Sequence, residues 1–390
     1  MSLRRVAVAA SVALAVVASG AGAGTAASAA ERPGAALSAA VAAATADPPK
    51  VLSVQQLPAD RRPPGAGIAS RITYTSTTVG GEPTVVSGLV FAPSTKAPTG
   101  GWPVVSWAHG TTGLGDSCAP SANPLSADIK DYLGTWLQQG YAVVATDYAG
   151  LGGPGVHPYL DGAVAAQGTI DIVRAMRRLA PGLFAKRWAV IGHSQGGHAA
   201  LFTGHLATRV APELDFRGTV ALAPPSNLTE IFARFTPQTT ILAGLTGLVS
   251  YIFAGVQVSN PGFDMGPYLS PLGRDVVTDA QTLCGSAQAE RVKGLTIGQL
   301  LAKPLDDAYA KAMGPVFDVP TTGYDRPLLV AQGAADKTVP PFLTRRLAND
   351  LQAAGQPLTY KTYESVDHSG VRAASLADVT AFLREAFAAP

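Results

Sequence analysis

The stretch Arg187-Trp188-Ala189-Val190-Ile191-Gly192-His193-Ser194-Gln195-Gly196-Gly197 decides how the rest of the chain is read. Its first five residues are a short run of strand character, and the residues from His198 to Thr208 read as a helix. Between them lies the pattern G-x-S-x-G, which puts Ser194 on a sharp strand-to-helix turn. Such a turn strains the serine backbone and admits only small residues two positions to either side, supplied here by Gly192 and Gly196. Gly197 lets the following helix pack close to the strand. The hydroxyl is lifted clear, and the helix N-terminus sets backbone N–H groups and positive dipole beside any oxyanion that forms. Glycine accounts for 42 of 390 residues, so the pentapeptide needs support from its flanks and from the partners a nucleophile requires.

Working outward, short apolar strands are expected at 104–108, 141–146, 188–191, 219–223 and 328–331, alternating with helical stretches near 127–139, 165–180 and 196–208. A last strand at 358–363 and a last helix at 376–387 follow. Ahead of them, the β-rich runs 71–79 and 84–91 flank Gly80-Gly81-Glu82-Pro83 and read as an antiparallel hairpin. Antiparallel strands first and alternating strands and helices afterwards give an α/β class: a mostly parallel sheet covered by helices on both faces, the α/β-hydrolase fold. One segment departs from the pattern. Residues 224–321 are too long for a loop between two strands, and the run 240–256 is apolar nearly all round. This insertion is expected to form a helical cap over the site, with 51–223 and 322–390 as the core.

Hydrophobic residues at 47% and charged residues at 14% allow a sizeable core, and a net charge of +2 without a basic run gives no reason to expect nucleic acid. Residues 1–29 read as a secretory signal: Arg4 and Arg5, an apolar stretch from Val6 to Val17, then Ala27-Ser28-Ala29 as the cleavage pattern. Residues 30–50 read as an Ala/Pro-rich linker or pro-segment. Small residues break the apolar runs too early for a transmembrane segment, so an exported, secreted protein is expected. Two cysteines, Cys118 and Cys284, then read as one disulfide in an oxidising compartment.

A serine nucleophile needs a base, and the base needs an acid to orient it. Of six histidines, His193, His198 and His205 lie beside the serine or along its helix, while His109 and His157 lie in earlier loops. His368, after the last strand and before the last helix, has the chain position the fold requires of the base. Asp336 follows the strand 328–331 and a glycine turn, the place for the acid. Asp367 is adjacent to His368 and badly placed to orient it, and Asp147 precedes the serine. The order Ser194, Asp336, His368 is that of the fold. The oxyanion hole is assigned to the backbone N–H of Gln195 with one from Thr111 or Thr112, in the glycine-bearing loop after strand 104–108; both threonines stay open. Histidine spacing and cysteine number give no metal site, and no cofactor is expected.

Cys118-Ala-Pro-Ser, Thr146-Asp-Tyr-Ala-Gly-Leu-Gly, Gly192-His-Ser-Gln-Gly-Gly and the large helical insertion together resemble the secretory lipases of yeasts and actinobacteria, the lipase A type. The resemblance covers about residues 70 to 385 and implies hydrolysis of lipid or short-chain esters by a Ser-Asp-His triad. Ile241, Leu242, Leu245, Leu248, Val249, Ile252 and Phe253 recur at helical spacing. Of these, Leu245, Leu248, Ile252 and Phe253 are expected to bind the acyl chain, with a small-molecule or lipid ester as substrate and room for transient contact with a lipid interface. Two other readings share the fold: a secreted serine peptidase or aminopeptidase, and a catalytically silent binding protein.

Overall fold

The computed structural model describes residues 48–240 and 243–389. The signal at 1–29, most of the linker at 30–50, and Ile241 and Leu242 lie outside the described residues. Nine strands form one sheet in the order β1-β2-β3-β5-β4-β6-β7-β8-β9. The first three, β1 (Val51–Gln56), β2 (Ala66–Thr77) and β3 (Pro83–Pro93), pair antiparallel, and β3 also runs antiparallel to β5 (Ala142–Thr146). From β5 onward every pairing is parallel, through β4 (Trp102–Ala108), β6 (Phe184–His193), β7 (Asp215–Leu222), β8 (Leu328–Gly333) and β9 (Leu358–Tyr363).

Parallel neighbours need crossovers, and the crossovers cover the sheet. On one face lie α1 (Ala127–Gln138) and, near the C-terminus, α10 (Val371–Ala374) and α11 (Leu376–Ala388); on the other lie α2 (Gly162–Leu179), α3 (Gln195–Val210) and α9 (Pro341–Ala353). Alternation along each strand sorts the core into two layers. Val105, Val143, Ala189 and Val220 join Leu133, Trp136 and Leu383 on the first face. Val104, Val144, Val190 and Val330 join Ile170, Phe202, Leu206 and Leu351 on the second. Each fully buried aliphatic side chain contributes about 1.5–3 kcal/mol, so burial on both faces explains why these strands read as unbroken apolar runs. From β4 the chain steps to β5 on one side and to β6 on the other. A crevice opens at the carboxyl ends where the order reverses, the usual place for a site in such sheets.

Between β7 and β8 the chain is helical, with α4 (Leu228–Phe232), α5 (Thr246–Ser259), α6 (Pro271–Ala280), α7 (Gly285–Arg291) and α8 (Asp307–Phe317). These helices share a core of their own that includes Phe232, Phe253, Met265, Tyr309 and Phe317. Residues 318–327 then return along α3: His205 meets the carbonyl of Thr322 at 3.0 Å, and Thr208 donates to Asp325 at 2.8 Å. The helical part therefore ends at Phe317, ahead of the expected limit at 321.

Candidate active site

The turn after β6 holds Ser194 at φ 58° and ψ −121°, backbone that a residue with a side chain rarely adopts and that stores ~1–3 kcal/mol. Its neighbours impose it. A Cβ on Gly192 would meet the Gly196 carbonyl, and one on Gly196 would meet the carbonyls of Ala108 and His109. Strand β6, helix α3 and the end of β4 thus converge on main chain alone. The Ser194 N–H donates to Leu222 O at 2.9 Å. Gln195 opens α3, where first-turn N–H groups have no partner within the helix. Its buried side chain is held by His157, whose Nε2 lies 2.7 Å from Gln195 Nε2 while Nδ1 faces the Ala149 carbonyl at 2.9 Å. That pairing makes Nδ1 the donor and Nε2 the acceptor.

The loop after β4 comes next to the serine. A Cβ on Gly110 would lie 3.6 Å from Ser194 Cβ, so this loop passes at contact distance. Thr111 Oγ1 bonds to Tyr159 OH at 2.5 Å, and the Thr112 carbonyl accepts from Gly285 N–H at 2.9 Å. Gly113, at φ 126°, pairs with Cys284 in an isolated antiparallel bridge. Cys118 and Cys284 form a disulfide with Cα atoms 5.3 Å apart. A main-chain bridge and a disulfide therefore tie the loop that carries Thr111 and Thr112 to the helical segment.

Asp336 follows β8 in a turn closed by its own side chain. Oδ1 accepts the N–H groups of Thr338 and Val339 at 2.8 and 2.9 Å, and Oδ2 accepts Gln332 Nε2 at 2.9 Å. The same Oδ2 lies 2.7 Å from His368 Nδ1. Burial opposes ionisation of this carboxyl, but the hydrogen bond and charge of His368 and the two amides outweigh it and hold the group below its ordinary range. With Nδ1 committed to the carboxylate, Nε2 is left as the basic nitrogen.

Ser194 and His368 line one cavity of about 650 Å³ together with Thr111, Thr112, Asn123 and Arg372. Ser194 also lines a second cavity of about 540 Å³, walled by Ile231, Phe235, Leu245, Leu248, Val249 and Ile252. Phe253 departs from its expected place: it is fully buried within the helical segment, its ring 6.2 Å from Phe232 and 6.4 Å from Tyr309. Ile252 lines the cavity, whereas Phe253 points into the core that the helices share. Sequence reasoning passed over Gln332, His157 and Arg372. The first left a signal, a glutamine inside the otherwise apolar strand Leu328-Leu-Val-Ala-Gln332-Gly. Among the described residues, no group of three or more His, Cys, Asp or Glu could hold a metal ion, and no helix is long and apolar enough to cross a membrane.

Burial sets the acid response. His157 and His198 are pushed down to about 4 and His193 to about 3, while Asp161 and Asp171 are pushed up to about 6. The histidines bind protons more readily when unfolded, so their share of stability is lost as pH falls from about 6.5 toward 4. The aspartates bind protons more readily when folded, so theirs is lost as pH rises from about 4 to 6. Burial also lowers His109 and His205 and raises Asp318, so in the shared window the lowered histidines outnumber the raised aspartates and unfolding takes up protons on balance. Urea midpoints measured from pH 7 to 4 are expected to fall steadily; midpoints that rise on acidification would contradict this balance.

A strained serine on a strand–helix turn, at the crevice of a mostly parallel sheet and sharing a cavity with a carboxylate-bound histidine, is the arrangement of the α/β-hydrolase fold. The family model described as secretory lipase matches residues 126–296, and that of the prolyl oligopeptidase family matches 297–389. Over 126–296 the chain resembles the secretory lipases. It is 26% identical over 340 residues to a probable inactive lipase of Mycobacterium tuberculosis, covering 82% of this chain and 74% of that one. It is 29% identical over 193 residues to a secreted triacylglycerol lipase of Malassezia globosa, covering 46% of this chain and 40% of that one. Among solved structures, Candida antarctica lipase A in its closed state superposes with a TM-score of 0.71 at 19% identity, covering 87% of this chain and 82% of that one. A rice cell wall degrading esterase from Xanthomonas oryzae gives 0.69 at 20%, covering 86% and 97%.

Proposed function

We propose that the chain is an exported serine esterase that hydrolyses acyl esters through an acyl-enzyme, with Ser194 as nucleophile, His368 as base and Asp336 as the group that orients it. His368 Nε2 takes the Ser194 proton as Oγ attacks the ester carbonyl. The N–H of Gln195 and one from Thr111 or Thr112 hold the oxyanion, and His368 returns the proton to the departing alkoxide. Water activated by His368 then frees the acid. The observation that carries this reading is the 2.7 Å contact of His368 Nδ1 with Asp336 Oδ2 at the wall of the cavity that Ser194 also lines. Labelling with a fluorophosphonate probe tests it. A protein that neither labels nor turns over p-nitrophenyl esters would be the silent binding protein instead, as the name of the Mycobacterium relative suggests for that protein. The prolyl oligopeptidase match favours a second reading, a peptidase, but it spans only the part that carries Asp336 and His368. Turnover of amino-acid anilides in preference to p-nitrophenyl butyrate would select it.

Residues 224–317 act as a cap in this reading, and the apolar cavity beneath them receives the acyl chain against Leu245, Leu248 and Ile252. Burial of each methylene contributes about 0.8 kcal/mol, up to about fourfold in kcat/KM per carbon. Specificity is expected to climb from acetyl through butyryl to octanoyl esters; a strict acetyl preference would remove the cavity from the account. Phe342, 62% exposed at the rim of this cavity, favours transient contact with a lipid interface. The disulfide supports an oxidising destination outside the cell.

A further inference from the structure

We infer that His193, the residue before the nucleophile, is a positioning residue that clamps the main chain of the base. Its Nε2 lies 2.8 Å from the backbone oxygen of His368, and the two imidazole rings stand 4.7 Å apart. Its Nδ1 lies 3.1 Å from Arg372 Nη1. A carbonyl only accepts and a guanidinium only donates, so the partners fix one neutral tautomer: Nε2–H donates to His368 and Nδ1 accepts from Arg372. Arg372 is held in turn by Asp128, whose Oδ2 takes its Nη2 at 2.6 Å. Burial, with the charges of His368 and Arg372, pushes His193 down to about 3, so the ring stays neutral at working pH.

The loop bearing His368 is thereby gripped twice. Asp336 sets the ring, and His193 sets the backbone from which that ring projects. The second grip comes from the elbow itself, so the frame that places Ser194 also places its base. Asp128 on α1 ties the frame to a further element of the fold, and it and Arg372 both line the cavity. A shift of about 1 Å between nucleophile and base costs about a hundredfold in rate, which is what this frame guards against.

The inference rests on the hydrolase reading, and two side chains separate the links. Glutamine reaches the place of Nε2 with an amide N–H; asparagine reaches only the place of Nδ1. His193→Asn is expected to lower kcat on p-nitrophenyl butyrate by about ten- to a hundredfold with KM changed less than about twofold. His193→Gln recovers most of that loss. Equal activity of the two variants, or a loss carried by KM, overturns the inference. Should the asparagine variant fail to fold, Arg372→Gln gives a second measure, because it frees the ring to turn its donor away from His368; an unchanged kcat there also overturns it. A wild-type protein without turnover or probe labelling removes the hydrolase reading, whereas an active one with indifferent His193 variants removes this inference alone.

Discussion

Ser194→Ala is expected to reduce kcat for ester hydrolysis on the order of 10⁶-fold, the loss found when the nucleophile of a serine triad is removed. The fold has little reason to change. Alanine loses only Oγ, and the turn is imposed by main-chain contacts at Gly192 and Gly196 rather than by the serine side chain. What remains is the modest acceleration that oxyanion donors and binding supply without a nucleophile. Adding His368→Ala to this variant should cost almost nothing more, because members of one relay are not additive. Initial rates on p-nitrophenyl butyrate, with circular dichroism to confirm the fold, check both statements. A single variant that keeps most of its turnover would end the assignment of Ser194.

The second large effect belongs to the disulfide. Cys118 and Cys284 are 166 residues apart in sequence, and closing a loop of that length stabilises the folded state by about 5 kcal/mol in the chain-entropy model. That is a large part of the 5–15 kcal/mol typical of a folded domain. Cys284→Ser should therefore lower unfolding free energy by up to that amount. It should also slow hydrolysis at temperatures where the protein stays folded. Cys284 pairs with Gly113, and Gly285 holds the carbonyl of Thr112, so freeing this strand edge loosens the loop assigned to the oxyanion. Denaturation in the presence and absence of reductant measures the first effect and kcat the second. Equal stability under both conditions would refute the prediction.

Much of the architecture could be read because its signals are local. An elbow of seven residues, apolar strands of four to six residues and intervening amphipathic helices each announce themselves within one window. Strand β1 did not. Val51–Gln56 is largely exposed and carries two glutamines, so only its pairing with β2 makes it a strand. Ser194, Asp336 and His368 could be proposed because the fold ties each to a strand end. The residues around them could not, because their partners are far away in the chain: His193 meets His368 across 175 positions and Arg372 meets Asp128 across 244. Periodicity on α5 failed for another reason. A helix apolar on nearly every side has no distinct buried stripe, so nothing local separates Ile252, which faces the cavity, from Phe253, which does not.

The return of the chain from the helical segment bears on how such enzymes can be recombined. The segment leaves the sheet at the carboxyl end of β7, but β8 begins beside Thr219, several residues back toward the other end. Residues 318–327 bridge that drop, strapped to the flank of α3 at His205 and Thr208, with Val319 and Tyr324 sunk into the core. His198, about two turns before His205 on the same helix, meets the carbonyl of Phe317 at 2.8 Å where the strap begins. A chimera that exchanged everything between β7 and β8 would therefore carry off part of the support of the helix that Ser194 opens. Crossover points at 224 and 317 leave that support in place, so the insert is a portable module only if its trailing ten residues stay behind.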